Sequence, residues 1–178
     1  MAYQFRRSKP SSFDLTEENI KDCHPNYKMN PPLRSIEDHQ ALIDGLNDQT
    51  IKVIATDHAP HAREEKNKPI QDAPIWHYWD FNMTFPLLYT YLVKKNLVKL
   101  ETILDALTTG PAHVLRLEGD VKLGQKANLC IFDLDKEFVI EEDDIKSKSI
   151  NTPFLGVKCY GKIVANIVNG KMTEMEEM

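Results

Sequence analysis

Three titratable side chains follow an apolar run in the middle of the sequence. Asp57, His58 and His61 belong to the string DHAPH, which comes directly after IKVIAT at residues 51–56. A carboxylate there can bind a hard or borderline metal ion and can take a proton from metal-bound water. Because Pro60 stiffens the turn, His61 can point back toward the same place. The alternative interpretation is an aspartate that ends a strand beside two surface histidines.

A buried strand must position these groups. IKVIAT is β-branched and almost continuously apolar, which is typical of a strand covered on both faces, and we expect Val53, Ile54 and Ala55 to be buried. Residues 2–7 predict an earlier strand. Between them, Ser35 precedes SIEDHQALIDGL, whose apolar spacing predicts a helix ending at Asn47 and Asp48. The order strand, helix, strand predicts parallel pairing, with chemical groups at the carboxyl edge.

The second half of the chain changes from helical to strand-like patterns. Two helices are predicted, the second interrupted by Gly110 and Pro111, and short strands bounded by turn residues follow. The sequence therefore predicts an α/β chain with an α/β segment at residues 1–118 and a small β module with an acidic tail at residues 119–178. The predicted helices cover residues 83–95 and 100–108, and the strands fall within residues 127–135, 137–142 and 156–174.

Composition excludes several classes of protein. The chain has 178 residues, 42% of them hydrophobic and 28% charged, with a net charge of −5. These values are those of an ordinary soluble protein, and without a basic patch nucleic acid is not an expected partner. The apolar runs are too short to span a membrane, and the first residues lack the apolar core of a signal peptide. Three widely spaced cysteines argue against a disulfide framework and indicate a reducing cytoplasm.

Longer strings carry a family resemblance. VIATDHAPHAREEK resembles the segment that ends the eighth barrel strand of bacterial class I dihydroorotases, in the amidohydrolase superfamily, and NYKMNPPLR resembles their second hallmark. The resemblance implies the C-terminal part of a (β/α)8 barrel, with its last two βα units, plus a C-terminal β module. It runs from near residue 10 to near residue 170, and its further matches are AP at 73–74, FPLLYT at 85–90, GQKANLCIFDLD at 124–135 and NTPFLGVKCYGK at 151–162.

The resemblance also implies a reaction and roles for three residues. Asp57 matches the catalytic acid/base, which also contacts one of two zinc ions, and Asn30 and His61 match residues that contact the substrate. The family interconverts dihydroorotate and N-carbamoyl-L-aspartate in pyrimidine synthesis. Its other zinc ligands would precede residue 1, so we expect this chain to hold zinc poorly and to be inactive by itself. The chain is then a piece of a longer protein, a truncated gene product or one part of a split barrel.

We expect a partner to cover what such a partial barrel leaves open. Self-association or a partner subunit such as a transcarbamoylase would do so, and the small-molecule substrate would bind once the missing strands were supplied.

Two departures from the family keep an alternative open. Ser11 and Ser12 stand where the family has a His-His pair, and IWHYWDFNMT at residues 75–84 replaces a glycine-rich loop. The bulk of Trp76, Tyr78 and Trp79 would fill space left by the missing barrel, cover an exposed edge or occlude a pocket. The alternative function is a degenerate, non-catalytic homologue that serves as a structural or partner-binding subunit. A third hypothesis, an unrelated small-molecule binding module, conflicts with the long motif matches.

The remaining polar residues receive ordinary interpretations. REEKNK at residues 63–68 is expected to be a solvated loop, and His39 a solvated residue on a helix. Cys130 and Cys159 fall in strand patterns and are expected to be small core residues. Lys28, beside Asn30, is either a candidate to hold an anionic substrate or a solvated loop lysine.

Overall fold

A pair of parallel strands forms the barrel-like part of the protein. The computed structural model describes residues 7–8, 13, 15–20, 23–59, 61–75, 81–117, 119, 121–147 and 149–174. Strand β1 (Arg7–Ser8) pairs in parallel with β2 (Val53–Ile54), with Arg7 opposite Val53 and Ser8 opposite Ile54. The predicted parallel pairing is confirmed. Strand β2 is shorter than the strand predicted at residues 51–56. Residues 2–6 of the other predicted strand lie outside the described part of the chain.

Helix α1 (Ile36–Asn47) connects the two strands. Its first turn is stabilised by Ser35, whose Oγ accepts a hydrogen bond from the amide of Asp38 at 3.3 Å. Glu37 and Asp38 also place negative charge at the positive end of the helix dipole. The helix ends at Asn47, as predicted, and buries Ile43 and Leu46 against β2 and the later helices.

His39, which was predicted to be solvated, is instead a contact residue of α1. Its Nε2 lies 2.6 Å from the carbonyl oxygen of Phe13, and Phe13 is itself buried. The prediction was wrong because the partner comes from a distant segment of the chain that folds against this helix.

Among the residues that the structure describes, four further α-helices and one π-helix follow β2. They are α2 (Arg63–Lys66), α3 (Phe81–Leu88), the π-helix Tyr89–Val93, α4 (Leu100–Leu107) and α5 (Thr109–Leu115). The predicted helix over residues 83–95 is therefore two helices with different hydrogen-bond patterns. Pro86 lies inside α3 and cannot donate a backbone hydrogen bond, so the regular ladder is already broken before the π-helix begins.

The break between α4 and α5 lies earlier than predicted. It falls at Thr108, where the backbone has φ −126° and ψ −78°, rather than at Gly110 and Pro111. Pro111 instead occupies the first turn of α5. A proline is tolerated there because amides in the first turn have no acceptor inside the helix.

The C-terminal module is a three-stranded antiparallel sheet. Strands β3 (Leu129–Val139), β4 (Lys158–Val168) and β5 (Lys171–Glu174) lie in that order, and Asn169 and Gly170, both at positive φ, form the tight turn between β4 and β5. The two strands predicted at 127–135 and 137–142 are one strand. A register shift between Asp133 and Glu137 absorbs the polar residues between them. The Asp133 carboxylate accepts hydrogen bonds from the amides of Asp135 and Lys136, each at 3.1 Å.

Two hydrophobic cores meet at α3. Leu88 packs into the first core with residues of α1, β2 and α4, and its neighbour Leu87 packs into the second core with Ile140, Phe154 and Cys159. Cys159 is a core residue as predicted, whereas Cys130 on β3 is exposed, because the face of β3 that carries it is not covered by the described residues. The predicted domain boundary between residues 118 and 119 stays a prediction.

The strand that precedes Asp57 is only partly enclosed. Ile54 is buried, but Val53 and Ala55 are half-buried, so the expectation of full burial holds for one of the three residues. In the described part of the chain, no helix is both long enough and apolar enough to cross a membrane.

Candidate functional site

Asp57 lies at the point where β2 ends and the chain turns. Its backbone has φ 52°, in the left-handed region, and the residue is exposed. Residues other than glycine adopt this conformation rarely, but aspartate is among those that tolerate it. The turn directs the chain out of the sheet at its carboxyl end, the edge where catalytic groups collect in α/β barrels.

His61 is oriented by a carboxylate one helical turn later. Its Nδ1 lies 3.1 Å from Oε2 of Glu65, and the same oxygen accepts a hydrogen bond from the amide of Ala62 at 3.1 Å. The hydrogen bond from His61 lowers the pKa of Glu65, and the Ala62 amide adds to the effect. Because the ionised carboxylate only accepts, Nδ1 carries the proton, and Nε2 is the acceptor nitrogen of the neutral ring.

Asn30 is exposed in a loop that lies against the segment following Asp57. This loop begins with the 3₁₀ helix Pro25–Tyr27, in which Nδ1 of His24 accepts from the amide of Asn26 at 3.2 Å. Lys28 donates to the carbonyl oxygen of Gln71 at 2.9 Å. The chain segments that carry Asn30 and His61 are thus neighbours in space, although Lys28 is engaged with backbone.

Lys66 forms a second connection between the same two segments. The residue is only 2% exposed, and its Nζ donates to the carbonyl oxygens of Pro25 at 2.7 Å and Pro74 at 3.1 Å. Burial lowers the pKa of Lys66 to about 8, and the neighbouring charge of Lys28 acts in the same direction. The prediction that residues 63–68 form a solvated loop is therefore wrong at this position and for the helix α2, which ends here.

The C-terminal module contributes a third segment to this region. The carbonyl oxygen of His61 accepts hydrogen bonds from Ser149 Oγ at 2.7 Å and from Asn151 Nδ2 at 2.6 Å. Asn26 donates through Nδ2 to the carbonyl oxygen of Thr152 at 3.1 Å. We call Lys66, Ser149, Asn151 and Thr152 the buried polar cluster, since all four are less than 9% exposed.

Sequence reasoning did not assign a role to this cluster. NTPFLGVKCYGK contributed to the family resemblance, but nothing in the string marks Asn151 as a partner of His61. Lys66 stands in a mixed charge run of the kind that is usually solvated. The only available signal was the position of both residues within long family motifs.

A zinc site is not complete within the described residues. Across these parts of the chain, His, Cys, Asp and Glu side chains do not form any group of three or more that could hold a metal ion. Asp57, His58 and His61 therefore do not constitute such a site among themselves. The departures from the family at Ser11, Ser12 and the loop containing Trp76, His77, Tyr78 and Trp79 lie outside the described residues.

Curated relatives match almost the whole chain but only part of their own length. The protein named Dihydroorotase from Bacillus cereus (strain AH820) is 48% identical over 169 residues, which are 94% of this chain and 39% of that protein. The Dihydroorotase of Bacillus thuringiensis (strain Al Hakam) matches with the same identity and coverage. The chain thus spans about two fifths of the length of these relatives, and the predicted resemblance to dihydroorotases is confirmed.

Solved structures of the same fold cover a similar share. The L-hydantoinase (dihydropyrimidinase) from Arthrobacter aurescens superposes with a TM-score of 0.85 and 25% identity, over 93% of this chain and 38% of that structure. The D-hydantoinase (dihydropyrimidinase) from a Thermus species has a TM-score of 0.81 at 23% identity, over 96% of this chain and 40% of that structure. The predicted fold, a C-terminal part of an amidohydrolase barrel with a β module, is confirmed.

The family assignment rests on the sequence as a whole. Residues 10–173 match the Amidohydrolase family, a range that includes Asn30, Asp57, His61 and the buried polar cluster. This chain belongs to the amidohydrolase family.

Proposed function

We propose that this chain carries the proton-transferring residue and part of the substrate-binding surface of a dihydroorotase-type cyclic amidohydrolase. The observation that carries the proposal is the position of Asp57 at the turn that ends β2, within a chain 48% identical to proteins named dihydroorotase. The hydrogen-bonded loops that carry Asn30 and His61 lie in the same region, which supports its assignment as the site.

The proposed reaction opens and closes a ring amide. In the hydrolytic direction, the oxygen of a water molecule adds to the amide carbon of dihydroorotate, the ring C–N bond breaks, and N-carbamoyl-L-aspartate forms. The Asp57 carboxylate takes the proton from the attacking water and returns it to the leaving nitrogen. The Asn30 amide can both donate to and accept from the substrate, and His61 can accept through Nε2.

Zinc is the cofactor that we propose for the complete site. Asp57 is the ligand that this chain would contribute. Because the described residues contain no group of three or more suitable side chains, the other ligands would have to come from elsewhere in a complete barrel. We therefore propose that the 178-residue chain by itself is inactive.

The proposed setting is pyrimidine synthesis in the cytoplasm, with the site completed by further barrel strands. The half-buried Val53 and Ala55 on β2 support an additional covering element. Self-association, a partner subunit such as a transcarbamoylase, or the remainder of the barrel on the same polypeptide could provide it.

The experiment that tests the proposal is turnover of dihydroorotate with zinc quantified in the same sample. The chain is assayed alone and after co-expression with the part of the Bacillus cereus dihydroorotase outside the matched region. We expect no turnover above background for the chain alone and measurable turnover for the pair. Asp57→Asn should lower the turnover of the pair by about 100-fold or more, because an amide cannot accept the proton.

A matched control separates this effect from a general loss of charge. Asp72→Asn changes an exposed aspartate in the loop after α2 and should leave turnover unchanged. Turnover that is indifferent to Asp57 would contradict the assignment of the site, and robust turnover by the chain alone would contradict its proposed incompleteness.

A further inference from the structure

The buried polar cluster contacts both segments that carry the predicted substrate-binding residues. We propose that Lys66 and Asn151 are positioning residues, which fix the loop of Asn30 and the loop of His61 relative to each other. The consequence for substrate binding rests on the proposed function, whereas the geometry does not.

Lys66 connects the first pair of loops. Its ammonium group reaches the carbonyl oxygen of Pro25, at the start of the helix that leads to Asn30, and the carbonyl oxygen of Pro74. Hydrogen bonds from a charged donor are stronger than those between neutral groups, and water competes little at a residue that is 2% exposed. One side chain of α2 therefore joins this helix to two other segments of the chain.

Asn151 and Ser149 connect the C-terminal module to the loop of His61. A carbonyl oxygen has two lone pairs, and the His61 oxygen uses them on Ser149 Oγ and Asn151 Nδ2. A further contact of 2.8 Å joins Asn151 Nδ2 to Ser149 Oγ. Two buried side-chain donors thus fix the backbone at His61, and with it the point from which the imidazole side chain extends.

The contacts form a closed ring. The Asn30 loop is joined to the His61 loop through Lys66, the His61 loop to residues 149–152 through Asn151, and these residues back to the Asn30 loop through Asn26 and Thr152. Three segments joined pairwise cannot shift relative to one another without breaking one of these part-buried hydrogen bonds. A single contact between two loops would leave them free to pivot.

The location of the cluster argues against a role in general stability alone. Buried polar side chains cost desolvation, and apolar residues of similar volume would fill the same space without that cost. In the described part of the chain, the buried polar residues outside the cluster are limited to Thr84. The polar interior is therefore concentrated where the loops of Asn30 and His61 meet.

Amide hydrogen exchange on the 178-residue chain tests the positioning directly. The variants are Lys66→Met and Asn151→Leu, and the control is Lys68→Met, an exposed lysine of the same segment. The reporters are two amides that donate within the loops, Lys28 to Pro25 and Asn67 to Arg63. We expect each cluster variant to accelerate exchange at both reporters about tenfold or more, because the buried bonds that hold the loops are lost.

Two further readouts distinguish positioning from a general loss of fold. Exchange at Ile140, whose amide donates to Val157 in the C-terminal module, should stay unchanged in all variants. In the co-expressed pair, both cluster variants should raise KM for dihydroorotate about tenfold and change kcat less, since they displace binding residues and leave Asp57 in place.

The outcomes are separable from those of the turnover experiment. Exchange in Lys66→Met and Asn151→Leu that equals that of Lys68→Met would overturn the proposal, and so would equal acceleration at Ile140. If no pair turns over dihydroorotate, the proposed function fails, while accelerated exchange confined to the loops still supports positioning.

Discussion

The fold makes the ammonium group of Lys66 easier to deprotonate. Its ordinary pKa is 10.5, and burial lowers the pKa to about 8, with repulsion from Lys28 as the smaller cause. Because the folded pKa lies below the unfolded pKa, the unfolded chain binds this proton more tightly at pH values between the two. Folding stability therefore rises with pH across the window from about 8 to 10.5.

The first prediction follows from this sign. NMR titration of the Lys66 side chain should give a midpoint near pH 8. The free energy of unfolding, measured with urea, should increase between pH 8 and pH 10 by more in the wild-type chain than in Lys66→Met, since the variant lacks the titrating group. A midpoint above about 10, or equal pH dependence in the two chains, would contradict the prediction.

The second prediction concerns His61. The hydrogen bond to Glu65 keeps the proton of the neutral ring on Nδ1. Nitrogen-15 NMR of the neutral imidazole should show the Nδ1–H tautomer as the dominant form. Glu65→Ala should increase the share of the Nε2–H tautomer, whereas Glu64→Ala, at the neighbouring exposed position, should not. An unchanged tautomer in Glu65→Ala would mean that another group orients the ring.

The site residues could be predicted from the sequence, but the residues that position them could not. Asp57 and His61 stand in a string whose residue types suit proton transfer, so the local sequence was enough to identify them. Lys66 and Asn151 act through partners far away in the chain, separated by 41 and 90 residues from the groups they bind. No local pattern encodes such a contact, and for this reason Lys66 was expected to be solvated.

At the scale of elements, the bounds of α1 could be predicted from local sequence, whereas those of β3 could not. The Ser35 cap and the spacing of Ile43 and Leu46 lie within the helix itself, so its bounds could be predicted. Strand β3 contains a polar stretch after Asp133 that resembles a turn. It remains one strand because the Asp133 carboxylate binds the displaced amides while β4 continues to pair on both sides.

The third prediction concerns the contact between α3, the π-helix and β4. Gly161 of β4 has φ 82°, and a Cβ atom there would lie 3.1 Å from Phe85 and 3.1 Å from Tyr89. Gly161→Ala should therefore destabilise the protein by about 2 kcal/mol, through backbone strain and crowding together.

The matched control is Gly156→Ala. Gly156 has φ 77°, and a Cβ there would have no neighbour within 4 Å, so the substitution introduces backbone strain alone. Urea unfolding should give a larger loss for Gly161→Ala than for Gly156→Ala. Equal losses would show that crowding of Gly161 by Phe85 and Tyr89 adds nothing to the backbone strain.

At the scale of the whole molecule, several large apolar side chains are exposed to solvent. Four of them lie close together in the sequence, from the last residue of α5 to the segment before β3: Leu115, Leu117, Val121 and Leu123, each at least 64% exposed. Groups of exposed apolar residues are common on surfaces that another protein covers. Together with the half-buried β2, they support the proposal that the 178-residue chain does not remain alone.

The fourth prediction is that the chain self-associates. Sedimentation velocity at micromolar concentration should show species heavier than the 20.5 kDa monomer. Leu117→Lys combined with Leu123→Lys should shift the distribution toward the monomer, because charge disfavours burial of these residues in an interface. Val168→Lys with Met172→Lys, on exposed residues at the β4–β5 turn, is the control and should not. A strictly monomeric wild-type chain would contradict the prediction.

The ring of contacts around His61 also sets an order of events during synthesis. Ser149 and Asn151 are translated 88 and 90 residues after His61, and Thr152 comes 126 residues after Asn26. A nascent polypeptide exposes Asn30, Asp57 and His61 long before the residues that hold them have left the ribosome. Contacts of such long separation form late in folding. The local helices can form early, but the site can reach its final shape only after residues 149–152 have left the ribosome.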